Sequence, residues 1–322
     1  MTGAATTKGR PASRKGSGLR RALSVGLLIA LPLLLFMLAR TIDWQEVWQA
    51  LRSYRAGTLL AGAALSLASY LLFSSFDLLG RSYTGHALPA RQVLPLAFVC
   101  YAFNLNLGSW VGGIAMRYRL YSRLGLEVAT ITRILSMSLI TNWLGYLLLA
   151  GTVFALGLQA LPAHWGIGSA GLRLIGLGLL LAGFAYLLAC GFAERRTWHW
   201  RGHRITLPSL RFALLQAGLG ALNWVLMATV IYLLLPPQAG FFSVLGILLI
   251  SSIAGVVTHI PAGLGVTEAV FLALLQHQVS KGATLAALIG YRALYFLLPL
   301  GIACGLYLLL EQRAKQSRAK SG

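Results

Sequence analysis

Eight times along the chain an apolar run reaches or approaches the width of a bilayer. These runs lie at residues 22–39, 57–80, 94–110, 134–158, 174–192, 212–235, 241–257 and 282–310. A helix crosses the hydrocarbon core with about 20 apolar residues, and only helices or closed barrels satisfy their own backbone there. The chain therefore reads as an all-α polytopic membrane protein. Its mean hydropathy of +0.74 agrees, and the longest polar connections, at about 20 residues, are too short for a separate soluble domain.

The runs are not all alike. Those ending near Trp110 and Val257 are followed by glycine-rich breaks and then by short, more polar helical stretches. Reading these two as re-entrant helical hairpins leaves six full spans, and charge tests the arrangement. With the N-terminus inside, 20 of the 27 basic residues fall on the cytoplasmic side, five fall outside, and Arg133 and Arg292 remain within spans. This is the bias that the positive-inside rule demands. It also accounts for the net charge of +20 without nucleic acid. Eight plain crossings are the alternative, but the return stretch 114–125 is short and basic for a span.

The organisation expected is a disordered basic cytoplasmic tail (1–21), one transmembrane domain (22–310) and a second basic cytoplasmic tail (311–322). Residues 22–39 read as an uncleaved first span, because no small-residue cleavage site follows. The connection "TIDWQEVWQALRSYR" places Trp44, Val47, Trp48 and Leu51 on one helical face, as in an interfacial helix. Cys100, Cys190 and Cys304 lie in apolar runs without CxxC spacing and read as packing residues.

The two breaks resemble each other. In "NLNLGSWVGGIAMRYRL" Gly112 and Gly113 open a short helix; in "HIPAGLGVTEAVF" Pro261, Ala262, Gly263 and Gly265 do so. Each is followed by a long helix carrying one Arg, Arg133 or Arg292. The units 57–158 and 212–310 then form an inverted-topology pseudo-repeat, the plan by which many transporters expose a midplane site to each face in turn. Glycine and proline kinks in two ordinary helices are the plainer reading.

A charge near mid-membrane costs about 2.5–3.5 kcal/mol on insertion scales. Asp77 and Arg133 are close enough to span ends for snorkelling or a local pair. Arg292, about 15 Å into its span at 1.5 Å per residue, is not. Glu268, just past the hairpin tip, is its natural counter-charge, and the pair reads either as a ligand site or as a clamp on the hairpin. Arg117 and Arg119, at a cytoplasmic-facing break, suit headgroup phosphate, although a solvated positive loop explains them as well. Asn104, Asn106, Asn142 and Asn223 can line a cavity or bond between helices. No HExxH, paired carboxylates or phosphate-binding loop is present, so an ATP-driven pump is excluded and neither a catalytic residue, a metal nor a cofactor is expected.

These residues resemble a family: the transmembrane region of lysylphosphatidylglycerol synthase/flippase proteins and their stand-alone YbhN-like relatives. The resemblance covers nearly the whole chain and rests on "PAGLGVTEAVF", on Arg292 in "GYRALYF" and on the first-half motif. Family members usually carry Pro-Gly-Gly-x-Gly-x-x-Glu; here Ala262 replaces one glycine, and the first-half motif has no proline before Gly112. The resemblance implies a bundle with re-entrant helices in the bacterial inner membrane that moves or hosts phospholipid, without the aminoacyl-transferring domain of the synthases. A solute transporter and an accessory subunit of a lipid-modifying system remain open alternatives, as do a homo-oligomer and a partner enzyme.

Overall fold

A computed structural model describes residues 44–159, 161, 168–193, 197–200, 203–258 and 260–321. The basic N-terminal tail and the expected first span at 22–39 lie outside the described residues. Helix α1 (Trp44–Ser53) leads into α2 (Ala56–Thr84) and α3 (Ala90–Leu107). A π-helical segment (Ser109–Ala115), α4 (Met116–Arg123), α5 (Val128–Ala155) and α6 (Gly168–Phe192) follow. The second half comprises α7 (Leu210–Leu234), α8 (Phe241–Thr258), a 3-10 turn (Pro261–Gly263) and α9 (Val266–Leu275). It ends in α10 (Lys281–Tyr291), a second π-helical segment (Arg292–Leu297) and α11 (Leu298–Ser321).

Six stretches are long and apolar enough to cross a membrane: Ala56–Thr84, Val128–Ala155, Gly168–Phe192, Leu210–Leu234, Phe241–Thr258 and Lys281–Gln312. The membership differs from the expected six. Helix α8, expected as one limb of a hairpin, qualifies by itself, since its 18 residues extend about 27 Å. Helix α3 does not qualify.

The fold is all-α, as expected, apart from a short two-stranded antiparallel hairpin in the connection between α6 and α7. Strands β1 (Thr197–Trp200) and β2 (His203–Thr206) pair from Thr197 with Thr206 to Trp200 with His203. The segments are rich in Thr, Trp and Ile, which favour strands. In α1 Val47 is buried against the protein, while Trp48 is exposed with the guanidinium of Arg52 over its ring.

Helix α2 packs against α3, α5 and α7, and α5 packs against both α6 and α7. The α5–α7 crossing depends on two glycines: a Cβ on Gly145 would lie 2.2 Å from Gly220 C, and one on Gly220 would lie 2.2 Å from Thr141 O. Close backbone approach of this kind is the common device for packing helices that no hydrophobic effect drives together. At the bundle centre sit Tyr70, Phe98, Tyr101 and Tyr295, with Phe73 stacked on Tyr101 at a centroid distance of 3.6 Å.

Both glycine-rich breaks reverse the chain. A Cβ on Gly112 would stand 1.9 Å from Phe103 O, whereas nine residues along a continuous helix would separate them by about 13 Å. Gly108, at φ 84°, makes the turn. In the second half a Cβ on Gly255 would come within 3.7 Å of Gly263 Cα, and α8 and α9 pack along each other. Ala262, Gly263 and Gly265 have φ of 57°, 57° and 78°. Ala262 is the only positive-φ residue other than glycine among those described, a conformation that costs an L-residue about 1 kcal/mol. Ala262→Gly is therefore expected to raise stability by about 0.5–1 kcal/mol. A higher thermal midpoint in detergent is the readout, and a lowered one would contradict the strain.

Candidate functional site

The first break is held by a buried ion pair that reaches back to the previous helix. Asp77 of α2 is fully buried and Arg117 of α4 is 5% exposed. Arg117 Nη2 donates to Asp77 Oδ1 at 2.7 Å and Nε donates to Oδ2 at 3.2 Å. Tyr121 Oη donates to Oδ2 at 2.8 Å. The carboxylate thus accepts from three donors, and the two-point pairing fixes the plane of the guanidinium. Asp77, expected to snorkel or to pair locally, pairs with an arginine that is adjacent in space and 40 residues away in the chain. Tyr121 and Ser138, which also belong to this site, had no sequence signal beyond their place in or near a break. In the loop after α2, His86 Nδ1 accepts from Leu88 N–H. Partial burial and then Arg81 hold its imidazole below the ordinary value.

The second break is clamped in a different way. Arg292 Nε donates to Glu268 Oε1 at 2.6 Å, Nη1 donates to Ala262 O at 3.1 Å, and Nη2 donates to Gly263 O at 3.3 Å. Glu268 Oε2 accepts from Gly265 N–H at 2.8 Å, which satisfies an otherwise orphaned donor at the start of α9. The anticipated Glu268–Arg292 pair is therefore present, and it grips three residues of the turn. Both side chains are partly buried. Phe296 lies 5.2 Å from the guanidinium carbon on its ring face.

The two breaks meet at α3. The 3-10 turn Pro261–Gly263 packs against it, and Asn106 Nδ2 donates to Ala102 O at 2.9 Å and to Phe296 O at 3.4 Å. Deeper in, Tyr101 Oη and Tyr295 Oη are 3.1 Å apart, Tyr295 Oη is 2.6 Å from Ser69 Oγ, and Ser69 Oγ donates to Asn223 Oδ1 at 2.8 Å. This polar chain links the first half to the π segment that begins with Arg292. Segments of π-helix recur at functional sites.

The remaining expected residues divide. Asn104 lies over Gly113, where a Cβ would come 2.4 Å from its Oδ1, and Gly112 tolerates no side chain at all. Arg119 is half exposed, 4.0 Å from Glu311 and 5.8 Å from the Tyr307 ring centroid. It belongs to a surface cluster in which Arg123 also pairs with Glu311. Arg133 is exposed on α5, and Asn142 contributes only its carbonyl, accepting from Trp224 Nε1–H at 3.4 Å.

A reversing turn carrying Glu268, clamped by an arginine of the next helix, is the feature on which the family resemblance turned. The sequence profile described as "Lysylphosphatidylglycerol synthase TM region" matches residues 23–303. The chain belongs to this family. It is 52% identical over 294 residues to "Inner membrane protein YbhN" of Escherichia coli, covering 91% of this chain and 92% of that protein. It is 33% identical over 293 residues to slr0712 of Synechocystis sp., covering 87% and 88%. These matches, with the apolar helices, make it a multi-pass inner membrane protein of the lysylphosphatidylglycerol synthase TM family.

Proposed function

We propose that the protein is a phospholipid translocase of the bacterial cytoplasmic membrane that moves an anionic or aminoacylated phospholipid and carries no synthase activity. In this reading both helix breaks are re-entrant hairpins of an inverted repeat, units 57–158 and 212–310, and both termini are cytoplasmic. One observation carries it. Two chain reversals, each held by an arginine–carboxylate pair, converge on one helix inside the bundle.

Ionisable groups carried on or between membrane spans are read by default as part of a functional site. Arg117 and Arg292 meet the headgroup phosphate, with Arg119 as an exposed first contact, and Glu268 balances Arg292 or meets a cationic headgroup. Asn104 and Asn106 line the route beside the tips formed by Gly112, Gly113, Pro261, Gly263 and Gly265.

The test is movement of headgroup-labelled phosphatidylglycerol and phosphatidylethanolamine across liposomes containing the purified protein. Headgroup-selective movement that Glu268→Gln reduces at least tenfold is the expected result. Movement of neither lipid by folded protein would overturn the reading in favour of a solute carrier or an accessory subunit.

A further inference from the structure

Beside the Asp77–Arg117 pair lies a cavity of about 140 Å³ lined by Phe73, Cys100, Tyr101, Asn104, Gly113, Ile114, Arg117, Leu135, Ser138 and Leu139. Its donors are unspent. Arg117 uses Nε and Nη2 on Asp77, leaving Nη1 without a bond to any described residue. Ser138 is 2% exposed, and neither its hydroxyl nor the Asn104 amide bonds to a described residue. Arg117, Ser138 and the partly buried Asn104 thus bring three uncommitted donors to one cavity, a set suited to a ligand that accepts several hydrogen bonds.

The electrostatics select which acceptor. Asp77 engages Arg117 through Nε and Nη2 only, so the guanidinium that lines the cavity keeps a cationic Nη1 uncommitted. Taking Asp77 as the counter-charge lets the arginine stay ionised at depth while still presenting a cationic edge. The cavity walls are otherwise aromatic and aliphatic, and Leu139 at its margin is half exposed on the outer face of α5. A group entering there comes with an apolar remainder that can stay outside.

We infer that this cavity is a phosphoryl subsite, in which Arg117 Nη1, the Asn104 amide and the Ser138 hydroxyl bind the oxygens of a phosphate ester whose acyl chains leave past Leu139. The acyl part rests on the translocase reading; the phosphoryl part rests on the donors alone. Arg292 does not line this cavity and is no part of the subsite.

The experiment measures binding to the detergent-purified full chain by thermophoresis. The probes are short-chain phosphatidylglycerol, phosphatidylethanolamine, diacylglycerol and inorganic phosphate. Both phospholipids are expected to bind at least ~10-fold more tightly than diacylglycerol, and Asn104→Leu/Ser138→Val to lose about tenfold in phospholipid affinity per donor removed. Leu139→Trp, at a half-exposed position on the cavity margin, is expected to weaken lipid binding without lowering the melting temperature, which keeps the test valid should the double variant misfold.

Equal binding of diacylglycerol and phospholipid, or binding indifferent to all these variants, overturns the subsite. Inorganic phosphate that binds with the same sensitivity to Asn104→Leu/Ser138→Val but ignores Leu139→Trp upholds the subsite and makes free phosphate the source. Variant-sensitive binding without movement in liposomes removes the translocase reading and leaves the subsite. Movement with variant-insensitive binding does the reverse.

Discussion

An Asp77→Ala variant is expected to lose about 3–5 kcal/mol of stability, because it leaves Arg117 buried without a counter-charge. The loss has two parts: the guanidinium keeps its desolvation cost, and Tyr121 Oη loses its acceptor. A fall in the denaturation midpoint, or failure to recover folded protein at all, is the readout. Replacing both charges separates structure from chemistry. Asp77→Leu/Arg117→Met removes the uncompensated ion and is expected to recover most of the stability, as exchanges of buried pairs for apolar groups commonly do. The same double variant removes the cationic edge of the cavity, so phospholipid binding is expected to stay lost. A double variant that binds lipid normally would make the pair a purely structural element.

The second large effect is expected at Arg292. Arg292→Ala deletes the counter-charge of Glu268 and frees two turn carbonyls, Ala262 O and Gly263 O. The expected outcome is loss of transport to background with a stability decrease of about 3 kcal/mol, less than at Asp77 because the pair is only partly buried. Arg292→Lys restores the charge but not the three-point grip, since an ammonium lacks the planar fork. It is expected to recover stability more than transport. Exchanging the two residues, Glu268→Arg with Arg292→Glu, is expected to fail on both counts: the glutamate at 268 also accepts from Gly265 N–H, which an arginine there cannot do. Normal transport by the exchanged protein would show that only charge matters at this site.

Much of this was readable from residue order alone, and the gaps have physical causes. Helix boundaries follow the hydropathy because the bilayer filters composition so strongly. The Glu268–Arg292 pair was foreseeable because each is an isolated charge in a neighbouring apolar helix, so no other partner competed. The Asp77–Arg117 pair was hidden by Arg119 and Arg123. Orientation alone explains a cluster of three arginines, and nothing in the spacing singles out the one that turns inward. Ser138 and Asn104 were obscured for a related reason: serine and asparagine at membrane depth ordinarily bond to neighbouring helices, as Ser69 and Asn223 do here. The β-hairpin was missed because four-residue strands are too short to show alternation against a basic, aromatic background.

In both ion pairs the acid precedes the base in the chain, Asp77 by 40 residues and Glu268 by 24. At synthesis rates of about 5–20 residues per second, each carboxylate leaves the ribosome seconds ahead of its arginine. The carboxylate can enter the bilayer protonated and neutral, a route closed to a guanidinium. The order of the letters thus spares the nascent chain its least tolerable moment, an arginine arriving in lipid with no anion waiting, and membrane insertion itself becomes a selective pressure on which member of each pair is written first.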